Sequence, residues 1–174
     1  MAHVLYISVV GKALKTFLCN LMKLRIYIDT SVVGGFFDEE FKEPTQRLFK
    51  RLESNEVKFV ISDLLELELI QAPKFVSELL LKYPRDRFER IELTEETMSL
   101  ADKYISEKVV GRTSLEDCRH IALATINKVD VLASWNFKHI VNLDRIRGYN
   151  SVNLKLGYPT IEIRTPQELV SYGD

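Results

Sequence analysis

Short β-branched and aromatic runs alternate along this chain with longer segments of helical spacing. That alternation predicts strands over residues 24–31, 57–62, 88–93, 129–134 and 160–164, with helices between them. Ser62-Asp63 caps a helix over 64–71, and Ala72-Pro73 ends it before a helical pattern resumes over 75–83. Residues 44–52 read as a helix with Pro44 in its first turn. Thr94 opens another that runs to about Lys108, with Met98, Ala101, Tyr104 and Ile105 inward. A helix through Ile121-Ala122-Leu123-Ala124 follows, and Ser114 and Asp117 have the spacing of a capping box at its start. Residues 144–156, ended by Gly157, and the segment opened by Thr165-Pro166 complete the helices, while 32–42, with Gly34 and Gly35, reads as a loop. Strands separated by helices predict a five-stranded parallel sheet with helices on both faces, a three-layer α/β domain.

Composition narrows the class. The 174 residues suit one domain; 46% are hydrophobic and 28% charged, as in an ordinary globular protein. Lys plus Arg number 24 against 25 Asp plus Glu, a net charge of -1, so any nucleic-acid contact comes from a local patch. Two cysteines, Cys19 and Cys118, make neither a disulfide framework nor a zinc motif, which predicts reduced thiols and a cytoplasmic protein without a membrane partner. The apolar run 4–10 precedes Lys12 and Lys15, the reverse of a secretory signal, and is too short to span a bilayer. Residues 1–21 therefore read either as an extension upstream of Met22 or as an extra edge strand, and 22–174 as the domain.

Candidate chemistry collects at strand ends. Leu24, Ile26 and Ile28 alternate with Arg25 and Tyr27 before Asp29-Thr30-Ser31. An ionised Asp cannot sit unpaired in a dry core, so Asp29 is expected at the carboxyl end of its strand, where open α/β sheets bind ligands. Glu66 and Glu68 lie two apart on a helix, so one at most faces the same site. Asp117 falls in a first helical turn, and Ser134-Trp135-Asn136 forms another polar strand tip. Carboxylates converging there repel one another, and Mg²⁺ or Mn²⁺, which prefers oxygen ligands, is the natural neutraliser.

These pieces together resemble the PIN-domain family, especially the VapC-like ribonuclease toxins and related stand-alone bacterial PIN proteins. The resemblance runs from about Lys23 to Arg164 and lies in Ile28-Asp29-Thr30-Ser31, Ser62-Asp63 with Glu68-Leu69, Asp117 with Ile121-Ala122-Leu123-Ala124, and Leu132-Ala133-Ser134-Trp135-Asn136. It implies a sheet ordered 3-2-1-4-5, with Asp29 and Asn136 facing each other across strands 1 and 4. It also implies metal-assisted hydrolysis of RNA, with Asp29, Glu68 and Asp117 as acidic ligands of Mg²⁺ or Mn²⁺ and Thr30, Ser31 and Ser134 as supporting hydroxyls. A cognate antitoxin and a homodimer are the partners implied. Asn136 stands where the family usually has Asp, and Lys138 where a further acid often stands, so metal binding is expected to be weaker or to use fewer ions. Lys138 and Arg119 are candidates for substrate phosphate, and Trp135 and Phe36 for stacking on a base. His120 and His139 are expected to be packing or surface residues, and Cys118 an unreactive buried thiol. The alternative reading is a PIN-fold RNA-binding or partner-binding module that has lost catalysis.

Overall fold

The computed structural model describes residues 23–171. The reading of 1–21 as an extension or an edge strand lies outside the described residues. Five parallel strands, β1 (Leu24–Ile28), β2 (Val57–Ser62), β3 (Phe88–Ile91), β4 (Val131–Ala133) and β5 (Ile163–Arg164), form one sheet in the order β3-β2-β1-β4-β5. Strand order reverses between β1 and β4, which pair with Ile28 beside Ala133.

The helices are α1 (Thr30–Gly35), α2 (Lys42–Glu53), α3 (Asp63–Ile70), α4 (Lys74–Ser77), α5 (Glu95–Ser106), α6 (Leu115–Ile126), α7 (Leu143–Lys155) and α8 (Pro166–Ser171). Strand alternation divides the core into two layers. Ile26, Ile28, Phe59, Ile61, Val131 and Ala133 face a layer with Val32, Leu48, Phe49 and Leu65 from α1, α2 and α3. Tyr27, Val60 and Leu132 face the other, with Leu100 and Tyr104 from α5, Ile121 and Leu123 from α6, and Tyr149 from α7. Below the sheet, Arg25 reaches across to Glu89 at 2.5 Å and to the Lys128 carbonyl at 2.9 Å, tying β1 to β3 and to the turn before β4.

Several local expectations change. Residues 30–35 form a helix rather than a loop, because the Asp29 carboxylate caps it by accepting from the Val32 N–H at 3.2 Å. Gly35 is needed at its end: a Cβ there would stand 2.7 Å from Trp135 Nε1. The expected helix over 75–83 is only α4 and one 3₁₀ turn over Leu80–Lys82, which ends where Tyr83, before Pro84, takes extended backbone. Met98 is exposed, since Thr97, Leu100, Ala101 and Tyr104 take the inward positions of α5. The capping box at Ser114 does not form. Ser114 makes no cap bond, its hydroxyl is buried without a partner, and Asp117 turns to another residue.

Candidate active site at the sheet switch point

Asp29 follows β1 and Ser134 follows β4, so the strand pairing brings them together from 105 positions apart. The Ser134 hydroxyl donates to Asp29 Oδ2 at 2.6 Å and accepts from the Asn136 N–H at 2.9 Å. Ser31 donates to Asp29 Oδ1 at 2.5 Å and accepts from the Trp135 N–H at 2.8 Å. The two hydroxyls thus clamp one carboxylate and bind the strand tip that faces it.

Asp117, in the first turn of α6, accepts from Asn136 Nδ2 at 2.9 Å. The Asn136 oxygen accepts from the His139 N–H at 3.1 Å. Its amide therefore steadies Asp117 and its own turn, and its oxygen is already engaged by the backbone. Glu68, on α3, takes both its bonds on one oxygen: Oε2 accepts from the Thr30 hydroxyl and from His120 Nε2, the latter at 3.1 Å. Glu66 points elsewhere and pairs with Arg90 at 2.7 Å, as their two-residue spacing requires.

His120 is the residue that sequence reasoning missed. It is 3% exposed, and its Nδ1 lies 2.7 Å from the Tyr27 hydroxyl, which lies 2.8 Å from Ser62 Oγ. Its signal was its place three residues after Asp117, on the same helical face. The peripheral candidates sit less freely than expected. Trp135 is stacked on Phe41 at 4.5 Å and donates to Thr45 at 2.9 Å, so one of its faces is covered. Phe36 lies edge-on to Phe37 and Phe49, and Arg119 is drawn to Glu116 at 2.6 Å. Lys138 is exposed, as is Phe137, which stands 6.0 Å from Trp135.

Burial is the main influence on the acids. It pushes the Asp29 carboxyl above the ordinary range, against His120 and the bonds from Ser134 and Ser31. It raises Asp117 likewise, opposed by His139 and His120 and reinforced by the charge of Asp29. Burial also acts to raise Glu68, yet the hydrogen bonds it accepts from His120 and Thr30 outweigh it and hold that carboxyl low. Burial pushes the Cys118 thiol up to about 12, so at neutral pH it is an unreactive thiol.

Among the described residues, no three His, Cys, Asp or Glu side chains converge closely enough to hold a metal ion as they stand. The donor chemistry nonetheless fits a hard cation. Asp117 Oδ2 and Glu68 Oε1 take no bond from any described residue, and Asp29 Oδ2 takes only one. Mg²⁺ is commonly held by one or two carboxylates with waters completing its shell, a demand that Asp29 and Asp117 meet without the third acid.

A parallel sheet ordered 3-2-1-4-5, with helices on both faces, makes this chain a protein of PIN-like fold. Solved structures that share the fold include a DNA-bound VapBC complex from Salmonella typhimurium, at TM-score 0.52 and 16% identity, covering 82% of this chain and 98% of that one. VapBC2 from Rickettsia felis, bound to a promoter DNA fragment, matches at TM-score 0.50 and 12% identity over 82% and 98% of the two chains. FitAcB from Neisseria gonorrhoeae matches at TM-score 0.50 and 13% identity over 81% and 97%. At these identities the likeness is one of fold. Neither a protein-family model nor a curated protein matches the sequence. No helix of the described residues is long and apolar enough to cross a membrane.

Proposed function

We propose that this chain is a metal-dependent endoribonuclease and the toxin member of a toxin–antitoxin pair. The observation that carries this reading is the meeting of Asp29, Asp117 and Asn136, from three separate elements, in one hydrogen-bonded cluster at the switch point, with Glu68 tied in through Thr30 and His120. A buried carboxylate facing a second, half-buried one is costly to the fold, and a divalent cation relieves that cost. The fold shared with VapBC and FitAcB chains supports a protein antitoxin as partner.

Asp29 and Asp117 would hold Mg²⁺ or Mn²⁺, with Glu68 as third ligand. Such an ion supplies Lewis-acid stabilisation of charge on phosphoryl oxygens and lowers the cost of ionising water. The chain's own side chains prepare the site. Ser31, Ser134 and the Val32 N–H fix both oxygens of Asp29 before anything binds, so no reorganisation is needed there. Asn136 orients Asp117 without adding negative charge. Beyond the acids, exposed Lys138 offers a cation to substrate phosphate, and Phe137, half-exposed at the edge of the Trp135–Phe41 stack, offers the stacking surface that Trp135 gives up to Phe41.

The test is cleavage of a single-stranded RNA panel with Mn²⁺, Mg²⁺ or EDTA, alongside Asp117→Asn prepared identically. Cutting that needs the metal and disappears in the variant is the expected result. RNA binding without cutting under every condition would overturn the nuclease and leave a binding module. Phe137→Ala is expected to weaken binding of single-stranded RNA in EDTA by about tenfold, near the lower end of what one stacked base contributes. Trp135 is the chain's single tryptophan and lies beside Phe137, so its fluorescence reads that binding directly.

A further inference from the structure

The buried side chains behind Glu68 have a direction. A carboxylate only accepts, so the contact between His120 Nε2 and Glu68 Oε2 requires a proton on Nε2. In a neutral imidazole Nδ1 is then the acceptor, and the Tyr27 hydroxyl, 2.7 Å away, must donate to it. The Tyr27 oxygen is thereby free to accept from Ser62, 2.8 Å away. Ser62 Oγ in turn accepts from the Leu65 N–H at 3.1 Å, capping the helix that carries Glu68.

In this sense every proton along the chain finds an acceptor. The opposite sense fails. An imidazolium would donate from Nδ1 to Tyr27, Tyr27 would donate to Ser62, and the Ser62 proton would have no acceptor among the described residues. A polar group left unpaired at that depth costs about 1–3 kcal/mol. Ser62, Tyr27 and His120 are 1%, 0% and 3% exposed, so water offers no easy substitute.

We infer that His120 is a positioning residue: a one-way chain from Ser62 through Tyr27 holds its imidazole as the neutral Nε2–H tautomer, which clamps Glu68 Oε2 and leaves Oε1 as the ligating oxygen. The inference rests on the reading of Glu68 as a metal ligand. The chain does for Glu68 what Ser31 and Ser134 do for Asp29. It joins β1, β2, α3 and α6 in one circuit. Orienting partners of this kind commonly govern metal affinity without touching the ion.

The test uses the full chain, ¹⁵N-labelled, in long-range ¹H–¹⁵N correlation spectra. With three histidines in the sequence, assignment is direct. In metal-free protein at neutral pH, His120 is expected to show a protonated Nε2 and an unprotonated Nδ1. Tyr27→Phe, which keeps the ring and removes only the donor, is expected to lose that single tautomer and to bind Mn²⁺ about tenfold more weakly by calorimetry. His120→Gln, which keeps an N–H, is expected to bind Mn²⁺ more tightly than His120→Ala. An Nδ1–H tautomer or an imidazolium in the wild type would overturn the inference. So would a folded Tyr27→Phe that binds Mn²⁺ as tightly as wild type while Glu68→Gln binds it weakly. If Glu68→Gln itself binds Mn²⁺ like the wild type, the ligand set under Proposed function fails, and the tautomer spectrum alone continues to support the clamp on Glu68.

Discussion

Asp29→Asn is expected to abolish metal-dependent RNA cleavage and, in chelator at neutral pH, to raise the melting temperature. The activity loss is about a thousandfold, corresponding to roughly 4 kcal/mol of transition-state stabilisation. The stability gain follows from burial. Asp29 is 4% exposed, and desolvation raises its pKa above the unfolded value despite the donors around it. A carboxyl raised in this way contributes stability that is present below its unfolded pKa and lost as pH rises through its folded pKa. Above its unfolded pKa the carboxyl therefore works against the fold, and a neutral amide of the same shape removes that opposition. Two measurements check this. Thermal unfolding in EDTA should show the wild type gaining stability relative to the variant as pH falls. Titration with Mn²⁺ should raise the wild-type melting temperature and leave the variant nearly unmoved. A variant that melts lower than wild type at neutral pH and still responds fully to Mn²⁺ would contradict both the burial argument and the metal site.

Phe49→Ala is expected to cause the largest loss of stability, about 3–5 kcal/mol, and to lower the melting temperature by roughly 10 °C. Phe49 is 1% exposed and lies edge-on to Phe36 and Phe59, both at 5.1 Å, with Tyr83 at 5.3 Å. These rings come from α2, β2 and the segments after α1 and α4, so truncation leaves a cavity that no single element can close. The acids at the switch point do not touch Phe49, and the shift in melting temperature on adding Mn²⁺ is expected to survive. Loss of that shift together with stability would mean that the site and the aromatic layer unfold as one unit.

Much of the architecture was legible because it depends on near neighbours in sequence. Alternation at Ile26-Tyr27-Ile28 and Phe59-Val60-Ile61 marks strands buried on both faces, and each residue takes the face that its parity assigns. Ser62, Thr94 and Gly157 announce helix ends through their own chemistry. Other ends were not readable this way. The helices α2, α5 and α6 stop at Asn55, Lys108 and Lys128, all with positive φ, where composition offers no glycine. Residues 32–35 read as loop because of Gly34-Gly35, and 30–31 as strand end, whereas the cap on Asp29 and the close approach of Trp135 make a helix over 30–35.

The site divides in the same way. From the sequence alone came its residue types: three acids, two of them at element starts or strand ends, and hydroxyls beside Asp29 and before Asn136. Tertiary structure decided which oxygen each donor takes. The pairing of β1 with β4 puts Ser134 on Asp29, and the packing of α6 on the sheet puts His120 between Tyr27 and Glu68. It also turned Asp117 from an expected cap to a partner of Asn136. Periodicity and capping act within a few residues, so the chain carries them in its order. Hydrogen bonds spanning 52, 93 and 105 positions exist only after the sheet has closed, because only closure brings their donors within reach.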